Sequence, residues 1–155
     1  MKINYDEISN SISSDNFNII GMGSGRIVYD LGDGYVIKKA RNKRGIAQNK
    51  VEHKISANNN SKLIAEVISV SDDYIYLIMK KADKISSSRE IWNYYNVKNF
   101  SELFSLDSFY KLIKNNELLL PDLYRKSSWG FIDGKPVLID YGFTKEVRRR
   151  YYRLF

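Results

Sequence analysis

Two aspartates with apolar neighbours, Asp122 and Asp140, stand where this sequence could do chemistry. Between them lies an Asp-Gly pair at Asp133, which is a strong sign of a tight hairpin turn. A hairpin centred there would bring both carboxylates to the same end. One carboxylate could accept a proton from a hydroxyl group, and the other could hold Mg²⁺ through its oxygen atoms. Whether the pair is a site or two surface charges depends on the elements upstream.

A lysine lies on a predicted strand where an apolar residue is expected. Side chains alternate along the strand Tyr35–Ala40, so Lys38 shares a face with two small apolar residues. A half-buried sheet face normally avoids lysine, whereas an ammonium group there can hold phosphate oxygens. A buried lysine needs a carboxylate partner to keep its proton, and Glu52 on the next predicted helix is the candidate. The alternatives are Glu66 as that partner, or an exposed lysine beside Lys39.

A glycine-rich turn precedes this strand. Gly21–Gly25 separates the predicted strand Phe17–Ile20 from the predicted strand Arg26–Leu31. Successive backbone N–H groups in such a turn could close over phosphates. An ordinary flexible hairpin is the alternative interpretation.

The remaining pattern predicts an α+β chain in two parts. A helix over residues 44–56 and the strands Lys62–Val70 and Tyr74–Met79 complete five antiparallel strands and one helix in residues 1–82. Residues 83–155 change to mostly helical periodicity. There, Ser87 and Glu90 form a capping box, one helix is predicted over residues 100–119 with Pro121 stopping it, and a last helix follows the hairpin.

Composition limits the function classes. The chain has 155 residues, no cysteine and one histidine, so disulfides, thiolate metal sites and multi-histidine sites are excluded. No apolar run approaches the roughly 20 residues that a membrane span needs, and no signal peptide is evident, so we expect a cytoplasmic location. The net charge of +7 suits nucleic acid, a phosphate-bearing ligand or an acidic partner.

The basic residues concentrate in Lys38–Lys54 and Lys145–Phe155, and a solvated surface is the simpler explanation for most of them. Arg148, Arg149, Arg150 and Arg153 could bind nucleic acid or an acidic partner, or could simply cover the C-terminal helix. Nucleic acid is less favoured, because the sequence has no strand motif combining aromatic and basic residues of the RNA-binding type.

In this order and spacing, the motifs resemble those of the protein kinase-like superfamily. "GMGSGRIVY" is similar to the glycine-rich loop, although Arg26 replaces its third glycine. "YVIK" is similar to the strand that carries the phosphate-pairing lysine. "PDLYRKSSW" resembles the catalytic loop and "DYG", at Asp140, the metal-binding motif.

The resemblance implies ATP and Mg²⁺ as cofactors and assigns roles to residues. Catalysis would involve Asp122 as the base, with Lys38 oriented by Glu52. Asp140 would hold Mg²⁺, helped by Ser127 in place of the usual asparagine. The nucleotide would contact Gly21, Gly23, Ser24, Gly25, Val28, Lys38, Met79 and Ala82, the last two belonging to the hinge between a sheet-rich N-lobe and a helical C-lobe.

Departures from the pattern leave alternatives open. Leu120 and Pro121 replace the histidine and arginine of the catalytic loop, and few residues follow Gly142, so the C-lobe is expected to be reduced. Such minimal kinase-like chains resemble those of phages and bacteria. The expected activity is phosphotransfer to protein hydroxyls or to the chain itself. A pseudokinase that binds a protein partner is the alternative, with a basic nucleic-acid-binding protein as a third.

Overall fold

The computed structural model describes residues 3–58 and 62–152. Its larger sheet is antiparallel, with strand order β1-β2-β3-β5-β4. The strands are β1 (Asn18–Met22), β2 (Arg26–Gly32), β3 (Tyr35–Ala40), β4 (Val67–Val70) and β5 (Tyr76–Lys80). The predicted α+β class and the five-stranded antiparallel sheet are therefore confirmed, although β4 begins later than the predicted strand from Lys62.

Two helices cover opposite faces of this sheet. Helix α1 (Tyr5–Ser13) packs through Ile12 on the face that carries Ile37 and Ile78. Helix α2 (Lys43–Asn58) packs on the other face, where the core continues into the second half of the chain. Alternation along β3 therefore decides that Lys38 points to the α2 side.

The second half is built around a smaller sheet, β6-β7-β8, formed by β6 (Asp83–Lys84), β7 (Trp129–Ile132) and β8 (Lys135–Leu138). The predicted β7–β8 turn is present, with Asp133 and Gly134 both at positive φ (52° and 76°). Its helices are α3 (Ser88–Tyr94), α4 (Phe100–Ser105), α5 (Asp107–Asn116), α6 (Leu120–Leu123) and α7 (Lys145–Tyr151). None of the described helices combines the length and apolarity needed to cross a bilayer.

The single helix predicted over residues 100–119 is wrong. Leu106 adopts extended backbone (φ −63°, ψ 136°) and separates α4 from α5, and α5 ends where Glu117 enters the left-handed region. Pro121 does not end a helix. It occupies the first turn of α6, where the backbone N–H that proline lacks would have no partner within the helix. The apolar spacing is satisfied on both sides of the break, so periodicity could not reveal it. The capping box at Ser87, by contrast, is confirmed.

Strand β8 joins the two parts of the chain. The Leu138 N–H donates to the Leu63 carbonyl (2.9 Å), and the Leu138 carbonyl accepts from the Ala65 N–H (2.8 Å). Both partners belong to the segment between α2 and β4, so β8 is anchored directly beneath the larger sheet. Asp140, two residues beyond β8, is thereby carried to the α2 side of the larger sheet.

The start of α2 packs tightly on the glycine-rich turn. A Cβ on Gly45 would lie 2.0 Å from the Gly25 carbonyl oxygen and 2.8 Å from the Ala40 Cα. A Cβ on Gly23 would meet no atom within 4 Å. Close packing of α2 against the turn thus depends on the absence of a side chain at Gly45, which is a helical position where alanine would otherwise be preferred.

We expect Gly45→Ala to lower the free energy of unfolding by about 1–3 kcal/mol, because the obstructing atoms are backbone and cannot move aside cheaply. Gly23→Ala, in the glycine-rich turn that α2 packs against, is the control, because a Cβ there meets no atom within 4 Å, and it should change stability by less than about 0.5 kcal/mol. Urea unfolding followed by circular dichroism measures both. Equal stability of the two variants would contradict the close approach of α2.

Candidate active site

A cleft of about 620 Å³ opens between the glycine-rich turn, the larger sheet and the segments around α6 and β8. The structure brings almost every predicted site residue to its wall. Glu52 is the exception, because it is fully buried behind Lys38. The predicted residues that line the cleft are Gly21, Gly23, Ser24, Gly25, Val28, Lys38, Met79, Ala82, Asp122, Ser127 and Asp140. Their roles in binding or catalysis stay predictions.

Lys38 reaches the back of the cleft from the middle of β3 and is 5% exposed. Its Nζ donates to both carboxylate oxygens of Glu52 (2.9 and 3.1 Å) and to the Ile139 carbonyl oxygen (2.6 Å). Burial lowers the pKa of the ammonium group, while the Glu52 charge opposes that shift. The lysine is therefore neither exposed nor paired with Glu66, and its carboxylate partner is the one that spacing indicated.

The Glu52 carboxylate is the most enclosed charge of the site. Besides Lys38, it accepts two hydrogen bonds from Arg26 (2.6 and 3.2 Å) and one from the Tyr141 backbone N–H (3.0 Å). Burial by itself would raise the pKa of Glu52, but the two cations and their hydrogen bonds outweigh it and leave the pKa at about 2. The group is therefore ionised at neutral pH.

Arg26 is a site residue that sequence reasoning treated only as a departure from the glycine pattern. It opens β2, is 6% exposed and lines the cleft. Its Nη2 donates to Asp140 Oδ1 (2.9 Å), and its Nη1 donates to Asn49 Oδ1 (3.1 Å). Burial disfavours the charged guanidinium, yet Glu52 and Asp140 keep its pKa above the ordinary value. The sequence signal that could have identified Arg26 as a site residue is its charge at the start of the largely apolar strand β2.

Asp140 faces the cleft with its side chain 51% exposed. The turn after β8 is held by the Ser128 carbonyl, which accepts from the Ile139 N–H (2.8 Å). Gly142 allows close contact with α2, because a Cβ there would lie 2.7 Å from the Gln48 carbonyl oxygen. The residue type at 142 is thus required by packing against α2.

Asp122 lies in the first turn of α6, and its carboxylate makes no hydrogen bond to another described residue. Burial raises the pKa of this half-buried group, and the charge of Asp140 raises it further. The Ser128 hydroxyl donates to the Asp122 carbonyl (2.7 Å), and Trp129 Nε1 donates to the Leu123 carbonyl (2.9 Å). The backbone is therefore fixed while the carboxylate is open to the cleft, so Asp122 does not serve as a turn cap.

The glycine-rich turn is held from outside the cleft. Arg41 Nη1 donates to the Gly23 carbonyl and Asn42 Nδ2 to the Ser24 carbonyl, both at 2.9 Å. The N–H groups of Ser24 and Gly25 make no hydrogen bond within the described part of the chain. The turn therefore keeps backbone donors available for an anion.

Tyr152 contributes to the cleft mouth, and no sequence signal indicated it. Its hydroxyl lies 3.1 Å from Ser24 Oγ and accepts from Gln48 Nε2 (2.9 Å). The Arg44 guanidinium stacks on its ring at 4.3 Å. The C-terminal segment thus holds both the glycine-rich turn and α2.

The arginines that were expected as a possible nucleic-acid contact lie away from these contacts or outside the described part of the chain. Arg148, Arg149 and Arg150 are exposed on α7, while Arg153 lies outside the described residues.

The predicted Mg²⁺ ligands do not form a ready metal site in this arrangement. Asp140 and Ser127 line the same cleft, but one oxygen of Asp140 is bound by the Arg26 guanidinium. Among the described residues, no group of three or more acidic, histidine or cysteine side chains could hold a metal ion. The fit to Mg²⁺ is therefore poor as long as Arg26 stays on Asp140.

We expect acid to weaken the fold through Glu52. Its pKa is about 2 in the folded chain against an ordinary 4.5, so its contribution is present above pH 4.5 and is lost as the pH falls toward 2. That loss is about 3 kcal/mol in the free energy of unfolding. Urea unfolding between pH 2 and 6 should show a shallower pH dependence for Glu52→Gln, whereas exposed Glu66→Gln should follow wild type. Identical pH profiles for all three proteins would contradict this.

No family model matches the sequence, and no curated protein matches it. Among solved structures, the chain is similar to an aminoglycoside phosphotransferase, APH(2″)-IIa, in its ternary complex with streptomycin and ATP. The two are 14% identical, and the alignment covers 92% of this chain and 72% of that chain, with a TM-score of 0.47.

Proposed function

We propose that this chain binds ATP in the cleft and transfers its terminal phosphoryl group to a hydroxyl. The observation that carries the proposal is the buried Lys38–Glu52 ion pair at the back of a cleft that also holds Asp122 and the glycine-rich turn. A buried ion pair contributes little net stability compared with apolar packing. Its position at the wall of a large cleft is better explained by binding of an anion.

The wall of the cleft combines apolar and cationic groups. Val28, Val36 and the hinge residue Met79 supply apolar surface, which suits the flat faces of a purine. Lys38 and the free N–H groups of the glycine-rich turn supply positive charge and donors, which suit phosphates. An ATP molecule laid along the cleft would place its terminal phosphate toward Asp122.

Asp122 is the group best placed to act on an acceptor. Its carboxylate has no partner among the described residues, and its raised pKa strengthens it as a proton acceptor. In transfer, the acceptor oxygen bonds to the terminal phosphorus as the bond to the bridging oxygen breaks and ADP leaves. Asp122 orients the hydroxyl and takes its proton late. Most of the rate enhancement would come from positioning and charge stabilisation.

The proposed acceptor is defined by its chemical class, which is a hydroxyl group. A hydroxyl of a protein partner or of the chain itself fits the expectation from the motifs. Arg125, which lines the cleft next to the Asp122 segment, would favour an acceptor with an acidic neighbour.

A non-catalytic binding module is the second candidate, and the Arg26–Asp140 contact favours it. A guanidinium on Asp140 opposes the metal-assisted chemistry that the motif implies, because it repels a cation from that oxygen. In that case the cleft would bind a nucleotide, or a protein partner would use the fold, without phosphotransfer.

ATP should stabilise the protein in a thermal-unfolding assay. The expected gain is about 2.7 kcal/mol at a hundredfold excess of ATP over its dissociation constant. Lys38→Met should remove most of this gain because it deletes the cation at the back of the cleft. Asp107→Asn, an exposed control on α5, should retain it. If ATP does not change the melting temperature of the wild-type protein, nucleotide binding is ruled out.

Phosphotransfer should depend on Asp122. We expect Asp122→Asn to lower the rate of transfer from labelled ATP by about 10²–10⁴-fold while leaving ATP affinity within about threefold. Rapid-quench measurement of phosphorylated product separates the rate from the affinity. Transfer by wild type that persists at full rate in Asp122→Asn contradicts the role of Asp122, and ATP binding without transfer by wild type supports the non-catalytic candidate.

A further inference from the structure

Arg26 occupies the place at Asp140 where a metal ion would be expected to bind. We propose that this guanidinium supplies the positive charge that a divalent cation would otherwise have to supply there, so that the cleft binds a nucleoside triphosphate without requiring a divalent metal. The inference rests on the proposed function, because it concerns the same nucleotide.

Hydrogen bonds hold the Arg26 guanidinium in this position. Its two terminal nitrogens carry four N–H donors, and they make four hydrogen bonds, two to Glu52, one to Asn49 and one to Asp140, at 2.6–3.2 Å. Contacts at both oxygens of Glu52 fix the plane of the group. Arg26 is therefore a fixed component of the cleft wall.

Asn49 supports Arg26 from behind. It is fully buried, and its Nδ2 donates to the carbonyls of Tyr74 (2.8 Å) and Ile75 (3.3 Å). With its amide nitrogen engaged in this way, its Oδ1 is left to accept from Arg26. Because its polar atoms are all engaged, the buried Asn49 offers Arg26 an acceptor in one fixed orientation.

Charge balance gives the consequence for binding. Arg26, Lys38, Glu52 and Asp140 form one connected cluster with two cations and two carboxylates. Without Arg26 the cluster would carry a net negative charge, and the exposed Asp140 carboxylate would repel the phosphates of an entering nucleotide. Such a site needs a divalent cation between carboxylate and phosphate. With Arg26 present, the carboxylate is already compensated, and its guanidinium repels a divalent cation from the bound oxygen.

The test compares ATP affinity, measured by titration calorimetry, in buffer with EDTA and in buffer with excess Mg²⁺. Wild type and Asp140→Asn should each bind ATP with affinities in the two buffers that agree within about threefold. Arg26→Gln should bind about tenfold more weakly in EDTA, with Mg²⁺ restoring the affinity, because Asp140 is then uncompensated. Adding Asp140→Asn to Arg26→Gln should remove this metal dependence, as expected for two directly coupled residues.

Arg26→Lys is the conservative variant that controls for loss of folding. It keeps one cation near Asp140 and should bind ATP in EDTA more tightly than Arg26→Gln. Circular dichroism and melting temperatures establish that each protein is folded before titration. If Arg26→Gln does not fold, the comparison of wild type with Asp140→Asn decides the question alone.

Two results overturn the inference while leaving the proposed function standing. One is wild-type binding that is at least about tenfold tighter with Mg²⁺ and loses this gain in Asp140→Asn, since Asp140 would then be a metal ligand. The other is a folded Arg26→Gln protein that binds ATP as wild type does in both buffers. Absence of ATP binding by wild type in either buffer overturns the inference together with the proposed function.

Discussion

The Glu52 carboxylate is fully enclosed by protein, and the rest of the site is arranged around it. It accepts hydrogen bonds from β2 through Arg26, from β3 through Lys38 and from the segment after β8 through the Tyr141 N–H. A buried carboxylate is tolerated only when its charge and its lone pairs are satisfied. Removing either cation would leave negative charge uncompensated, so this one group couples the larger sheet, α2 and the second half of the chain.

Small residues and backbone contacts make that coupling possible. Gly45 and Gly142 bring α2 against the glycine-rich turn and against the segment that carries Asp140. Strand β8 binds the segment between α2 and β4 through backbone hydrogen bonds, so Asp140 has little freedom to move away. The cleft is therefore a consequence of packing between elements distant in sequence, with its charged groups held by rigid neighbours.

The two aspartates of the cleft illustrate how environment separates similar side chains. Asp140 is bound by a guanidinium, whereas Asp122 has no hydrogen-bond partner among the described residues and has a raised pKa. In the proposed function, this difference would let Asp140 balance charge while Asp122 exchanges a proton. Arg26 supplies the contact that distinguishes Asp140, while burial and the charge of Asp140 raise the pKa of Asp122.

Features that depend on neighbouring residues were readable from the amino-acid sequence alone. Alternation along β3 placed Lys38 inward, and Asp133-Gly134 specified the β7–β8 turn, because both follow from local backbone geometry. The break at Leu106 and the anchoring of β8 depend on the packing of the whole chain, as does the pairing of Arg26 with Glu52, Asn49 and Asp140. Those outcomes depend on which distant surfaces pack together, and a pattern with a period of a few residues carries no information about partners that far apart along the chain.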